Sequence, residues 1–211
     1  MLRIVFPEGD DPRVREAAEF LEAEGFAETM LHTGADDIKE AANLVKDEAA
    51  DAVLASVPVK SKVDSSFVLL EREGKNGRPE KLILTDLKSI NNLDTEKLLD
   101  VQPRVSTFPY SDEVATNLRK QHPLWLVGDM ADLDDINILV TPDAAARDML
   151  GVMLRQFTSF RAYGPISRGS DMLSASFSAQ ATTADIISTA FYVDLLHRPL
   201  KENGKEPGIS R

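Results

Sequence analysis

Leu2-Arg3-Ile4-Val5-Phe6-Pro7-Glu8-Gly9-Asp10-Asp11-Pro12-Arg13-Val14-Arg15-Glu16-Ala17-Ala18 opens the chain with a change of hydrophobic period. The run from Leu2 to Phe6 is compact and β-prone, and it reads as a buried strand ended by Pro7 and Gly9. Asp10 or Asp11 supplies an N-cap, and Pro12 falls in the first helical turn, where its missing N–H costs nothing. Val14, Ala17, Ala18 and Leu21 then recur at helical spacing until Gly25 provides a stop.

Outward from this unit the alternation repeats. Residues 28 to 31 read as a second strand, residues 38 to 50 as a second helix with Asp36 or Asp37 near its start, and Ala52 to Ala55 as a third strand. Strand and helix alternating through short links predict βαβ units, and hence an α/β fold whose mostly parallel sheet carries helices on both faces. Two strand-like segments, 67 to 72 and 81 to 85, flank a polar, glycine-containing joint. They predict a hairpin, an antiparallel element in the sheet, and a place where two lobes meet: residues 1–65 with 141–200, and residues 66–140.

Beyond the hairpin the sequence predicts a short helix near residues 94–100, a strand at 104–108, and a helix reaching Gln121 with Asp112 and Glu113 in its first turn. Two further buried strands are expected at 123–127 and 136–140, with Trp125 in the core. Thr141-Pro142-Asp143 opens a helix on which Met149, Leu150, Met153 and Leu154 are spaced to form a packed face. Residues 160–163 form a strand that feeds a loop at Gly164. Residues 201–211 are expected to be a flexible tail on a single domain spanning 1–211.

The 211 residues suffice for a sizeable core, and 43% hydrophobic with 28% charged residues is the composition of a soluble globular protein. A net charge of −11 argues against nucleic acid as a partner. Any phosphate ligand must then be held by a local site. Zero cysteines exclude disulfides, thiolate metal sites and a cysteine nucleophile. The separated His32, His122 and His197 give no metal-ligand pattern. No apolar run approaches the ~18 residues of a membrane span, so a cytoplasmic location is expected. Neither a dinucleotide fingerprint nor a Walker A motif occurs.

One later stretch has the composition of an anion site: Gly164-Pro165-Ile166-Ser167-Arg168-Gly169, then Ser176-Phe177-Ser178-Ala179-Gln180-Ala181-Thr182-Thr183-Ala184-Asp185. A glycine-bounded turn is expected to lead through small hydroxyl residues to a helix start, where unpaired N–H groups attract an anion. Thr182-x-x-Asp185 has equally the form of a capping box. Glu8, Asp10 and Arg13, past the carboxyl end of the first strand, suit either a ligand crevice or an ion-paired turn.

Gly164-Pro165-Ile166, Gly169, Ser178 and Asp185-Ile186 together resemble the C-terminal signature of the phosphate acetyl/butyryl transferases, the phosphotransacetylase family. Residues 4–18 are similar to that family's N-terminal signature, and Asn137-Ile138-Leu139-Val140-Thr141-Pro142-Asp143 resembles a third block, all three in the family's order. The resemblance implies an α/β fold of the isocitrate/isopropylmalate dehydrogenase-like architecture, a homodimer, and no bound cofactor, with coenzyme A as a substrate. It implies transfer of an acetyl or butyryl group between coenzyme A and phosphate. Asp185 would be the base for the thiol and Ser178 an oxyanion or phosphate donor, while Gly164, Pro165, Arg168, Gly169, Thr182 and Asp143 would contact phosphate or acyl-CoA.

The chain also departs from the family. Ala179 replaces the arginine expected after the serine, Gln180 the following glycine, and Arg147 and Asp148 a glycine-asparagine pair. Residues 56–62 replace a glycine and threonine-rich loop, leaving Lys60 and Lys62 as anion contacts or as part of a solvated loop. Ser106, Thr107 and Ser111 keep hydroxyls where the family has a phosphate loop, without its glycine. Arg168 is expected to supply the charge missing at Ala179, or else to be a solvated or ion-paired loop residue. A catalytically impaired member that binds acyl-CoA or phosphate, or serves as an interaction module, is the alternative to an active enzyme.

Overall fold

A computed structural model of the protein describes residues 1–33, 37–59, 62–74, 77–129, 133–169 and 172–198. Asp36, Lys60 and the 201–211 tail lie outside the described residues. In chain order the elements are β1 Leu2–Phe6, α1 Pro12–Ala23, β2 Ala27–Leu31, α2 Asp37–Lys46, β3 Ala52–Ala55, β4 Val63–Glu73 and β5 Pro79–Asp86. There follow α3 Thr95–Leu98, β6 Arg104–Thr107, α4 Asp112–Gln121, β7 Leu126–Val127, β8 Ile138–Thr141, α5 Ala144–Phe157, β9 Arg161–Gly169, β10 Leu173–Ser176 and α6 Thr183–His197.

The strands form one sheet in the order β2-β1-β3-β10-β9-β4-β5-β8-β6-β7. Pairing is parallel within β2-β1-β3-β10 and within β5-β8-β6-β7, and antiparallel at β10-β9, β9-β4 and β4-β5. The expected hairpin is the β4-β5 pair. Because an odd number of antiparallel steps separates the two parallel wings, their strands run in opposite directions. The carboxyl ends of β1, β3 and β10 therefore share one end of the sheet with the amino ends of β5, β8 and β6.

Alternation along each strand sends side chains to two covered faces. Ile4, Phe6, Phe67 and Leu69 join the cluster under α1 and α6, with Leu98 of α3 and Leu118 of α4 on the same side. Val5, Val53 and Ala55 instead meet Ala41, Ala42 and Val45 of α2. Val68, Leu70, Leu82 and Leu84 meet Leu150 and Leu154 of α5. Helices thus cover both faces, which is why the strands read as continuous apolar runs.

Several local expectations change. Helix α2 ends at Lys46, because Glu48 adopts a left-handed conformation (φ 59°) and the amides of Ala49 and Ala50 fold back onto the Leu44 carbonyl. Only Leu126–Val127 of the 123–127 stretch is a strand. It lies at the sheet edge, so Leu124 is 80% exposed, and Trp125 is partly buried in a parallel stack on His122 with ring centroids 3.7 Å apart. On α5, Leu150 and Leu154 pack, but Met149 and Met153 face outward, and Arg147 and Gly151 occupy the buried stripe.

The largest correction concerns Gly164 to Gly169, which is strand rather than turn. It is the greater part of β9, held on one side by β4 and on the other by β10. The partner of Phe67 is Ile166 and that of Leu69 is Tyr163, so Gly164 and Pro165 form a bulge. Bulges are where a sheet interior tolerates these two residues.

Candidate active site at the end of β10

Strand β10 carries the chain to Ser178, and a short turn then delivers it to the start of α6. The Gln180 amide donates to Ser178 Oγ at 3.1 Å, and the Ala181 amide donates to the Ser178 carbonyl at 2.8 Å. Arg13 clamps this turn from the start of α1, its Nη1 donating to the carbonyls of Ala179 and Ala181 at 2.7 Å each. The Arg13 fork also grips Asp11, with Nε 3.0 Å from Oδ1, and this hydrogen bond holds the Asp11 carboxyl below its usual range. For Arg13 and Asp11 the turn-fixing role is therefore the one their contacts describe.

Thr182 and Asp185 form the capping box. The Thr182 hydroxyl accepts from the Asp185 amide at 3.2 Å, and Asp185 Oδ2 accepts from the Thr182 amide at 2.9 Å and its hydroxyl at 2.8 Å. The cap does not use all of Asp185. Its Oδ1 has no partner among the described residues, and the side chain borders a cavity of about 480 Å³.

That cavity is walled by Ser178, Gln180, Thr182, Ala184, Asp185 and Thr189 on one side, and by Arg155, Gln156, Phe160 and Arg161 on the other. Arg155 comes from the last turn of α5 and Arg161 from the first residue of β9. Neither guanidinium has an ion-pair or hydrogen-bond partner among the described residues. The amide of Ala184, second in α6, has no partner within the helix and adds the positive end of the helix dipole. Two cations, a hydroxyl, a helix start and a carboxylate oxygen around one recess can receive a phosphate and a proton at the same place.

The same arrangement of elements occurs in solved structures. A phosphotransacetylase from Streptococcus pyogenes matches with a TM-score of 0.66 at 17% identity, over 93% of this chain and 94% of that one. The EutD phosphotransacetylase from Staphylococcus aureus matches with a TM-score of 0.62 at 14% identity, over 93% and 94% of the two chains. A branched-chain phosphotransacylase from Enterococcus faecalis V583 matches with a TM-score of 0.64 at 14% identity, over 93% and 100%. The chain has the phosphotransacetylase fold. No family model matches the sequence, and no curated protein matches it at a significant level.

On the phosphotransacetylase fold of this chain, Ser178, Thr182 and Asp185 are brought together, and the other site residues expected from the sequence are not. Gly164 and Pro165 lie in the β9 bulge and do not line the cavity. Arg168 and Gly169 sit at the far end of β9, where Arg168 Nη1 pairs with Asp94 Oδ2 at 2.7 Å. The antiparallel pairing of Arg168 with Leu173, the first residue of β10, places it at the opposite end of the sheet from Ser178. It cannot supply the charge missing at Ala179. Asp143 is the N-cap of α5, its Oδ1 accepting from the Ala146 amide at 2.9 Å, beyond the carboxyl end of β8 and remote from Ser178. Lys62 is exposed and lines none of the cavities described here.

Arg155, Gln156 and Arg161 are the wall residues the sequence reading missed. A signal existed: a helix ending at residue 157 and a strand starting at 161 leave a very short link. Once β9 is known to run antiparallel to β10, that link must fall beside Ser178.

Proposed function

We propose that this protein is a phosphate acyltransferase that exchanges an acyl group between the thiol of coenzyme A and phosphate in the Ser178–Asp185 cavity. The observation that carries this reading is the meeting of unpaired Arg155 and Arg161 with Ser178 and the free Oδ1 of Asp185 around one recess, in a chain of net charge −11. The thiol sulfur attacks the acyl carbon, its proton passes to the Asp185 carboxylate, and the carbon–oxygen bond to phosphate breaks as phosphate leaves with the electron pair. Ser178 Oγ–H and the Ala184 amide stabilise the tetrahedral oxyanion, and the two guanidinia hold the phosphoryl charge.

The test mixes the protein with acetyl phosphate or butyryl phosphate and coenzyme A and follows thiol loss. Turnover is expected, with Asp185→Asn abolishing it while the thermal midpoint stays close to wild type. Absence of turnover with both acyl phosphates overturns the enzymatic reading.

A second reading is favoured by one feature of the site: Asp185 Oδ2 is committed to the cap, Ser178 Oγ already accepts from the Gln180 amide, and Ala179 brings no guanidinium. Under it the cavity binds acyl phosphate or phosphate without transfer. Saturable binding of phosphate, lost in Arg161→Ala, in a protein that shows no thiol loss would establish it.

A further inference from the structure

The two outermost strands of the sheet are β2 on one side and β7 on the other. An edge strand turns the N–H and C=O of every second residue away from the sheet, and such a row is a template for a strand of another molecule. The segments carrying these edges have apolar side chains at the surface. Phe26 and Leu31, at the two ends of β2, are 39% and 41% exposed, and Leu124 and Leu126, at β7, are 80% and 49% exposed.

Each edge is met by a charged side chain from the helix that precedes it. The His32 amide donates to the Phe6 carbonyl at 3.0 Å, so the even-numbered residues of this segment face β1, and Ala27, Thr29 and Leu31 face outward. Thr29, at the middle of that outward row, is covered. Glu22 in the last turn of α1 accepts at Oε1 from the Thr29 amide at 3.1 Å and from the Thr29 hydroxyl at 2.6 Å. On the other edge the Leu126 and Gly128 amides donate to the Pro103 and Val105 carbonyls, which leaves Val127 facing outward. Arg119 in the last turn of α4 covers it, with Nε 3.0 Å and Nη2 2.8 Å from the Val127 carbonyl. A carboxylate thus closes a donor on one edge, and a guanidinium closes an acceptor on the other. Both contacts lie at the surface, where charged groups add little to folding stability, so their consequence falls on what the edges can pair with.

We propose that Glu22 and Arg119 guard the two edges against strand addition by a second copy of this chain. The excluded partner is a second copy because a two-fold axis at either edge sets the same β-prone segment antiparallel to itself, row against row. The net charge of −11 opposes that approach at long range only, since salt near 0.15 M screens charges beyond roughly 8 Å. The inference does not depend on the acyltransferase reading.

Sedimentation velocity over a concentration series at that salt, on wild type, Glu22→Ala and Arg119→Ala, tests it. Glu24→Ala and Lys120→Ala make the same charge changes on neighbouring residues without touching an edge contact. The two edge variants should keep a thermal midpoint close to wild type and form species larger than the wild-type one at about tenfold lower concentration or less. The two charge controls should sediment as wild type, and so should Glu22→Gln, which retains the accepting oxygen. In the associated form of Glu22→Ala the Thr29 amide should be protected from exchange, and on dilution it should exchange faster than in wild type. Edge variants that associate no more than wild type overturn the proposal. So does equal association of the charge controls, which would assign the effect to net charge, and so does association that leaves the Thr29 amide unprotected, which would place the contact elsewhere.

Discussion

Arg147 Nη1 of α5 donates to Asp86 Oδ2 at the end of β5 over 3.0 Å, with both side chains almost fully buried. Asp86 also accepts from the amides of Lys88 and Ser89, and Arg147 Nε donates to Asp148 Oδ1 at 2.8 Å. The pair pins α5 to the sheet at the end remote from Ser178. Arg147→Met removes the counter-charge and leaves Asp86 buried. The expected loss is about 3–5 kcal/mol in urea denaturation, because an uncompensated buried charge costs more than the pair contributes. Arg147→Met combined with Asp86→Asn should recover much of that loss, and equal destabilisation in both variants would rule the account out.

This pair also shows what a sequence hides. The β1-α1-β2-α2-β3 alternation was legible because each element announces itself: a β-prone run, Asp11 and Pro12 at a helix start, Gly25 at its end. The capping box was legible for the same reason, since Thr182 and Asp185 are three residues apart. Arg147 with Asp86, and Arg168 with Asp94, depend on partners 61 and 74 positions away that only the sheet order brings near. Gly164-Pro165 signals a turn from local preference, yet the chain is paired on both sides there and absorbs the two residues as a bulge. Arg155 and Arg161 look like surface charges until the antiparallel β9-β10 pairing carries them to Ser178.

The bulge gives a second prediction. Gly164 has φ 100°, and a Cβ there would sit 2.6 Å from the Ile166 nitrogen and 3.2 Å from Ile166 Cγ1. Gly164→Ala therefore combines a disfavoured backbone with a clash against main chain. It is expected to destabilise by about 1–3 kcal/mol. Gly128→Ala, where nothing lies within 4 Å, should stay within about 0.5 kcal/mol of wild type. Thermal midpoints of the two variants make the comparison.

Acid stability should depend on Asp51. Its carboxyl is held below the ordinary 3.8 chiefly by the side-chain hydrogen bonds from Arg3, against the opposing effect of burial. Arg3 Nη2 lies 2.7 Å from Asp51 Oδ1, and the Arg3 amide lies 2.8 Å from Oδ2, so β1 and the start of β3 are joined through this group. A carboxyl with a depressed folded-state pKa stabilises fully above its unfolded value and loses that contribution as pH falls through the folded one. Wild type should thus exceed Asp51→Asn in stability above pH 3.8, and the gap should close below it. Denaturation midpoints across an acid series check this, and a gap that persists undiminished at the lowest pH would contradict it.

Arg13 supplies the last prediction, because it couples the N-terminal βα unit to the backbone of the Ser178 turn. Its guanidinium reaches two carbonyls, Ala179 and Ala181, and a carboxylate, Asp11, in one planar arrangement. A lysine has one compact ammonium and cannot match that fork. Arg13→Lys should therefore keep the charge and lose the clamp, at a cost of about 1 kcal/mol given that the side chain is one-third exposed. The local effect should exceed the global one. Amide exchange of Gln180 and Ala181 should accelerate several-fold more than that of β1, and phosphate affinity at the cavity should fall with it, since Ser178 and the start of α6 are set by this turn. Uniform acceleration across the molecule would mean that Arg13 merely adds stability and positions nothing.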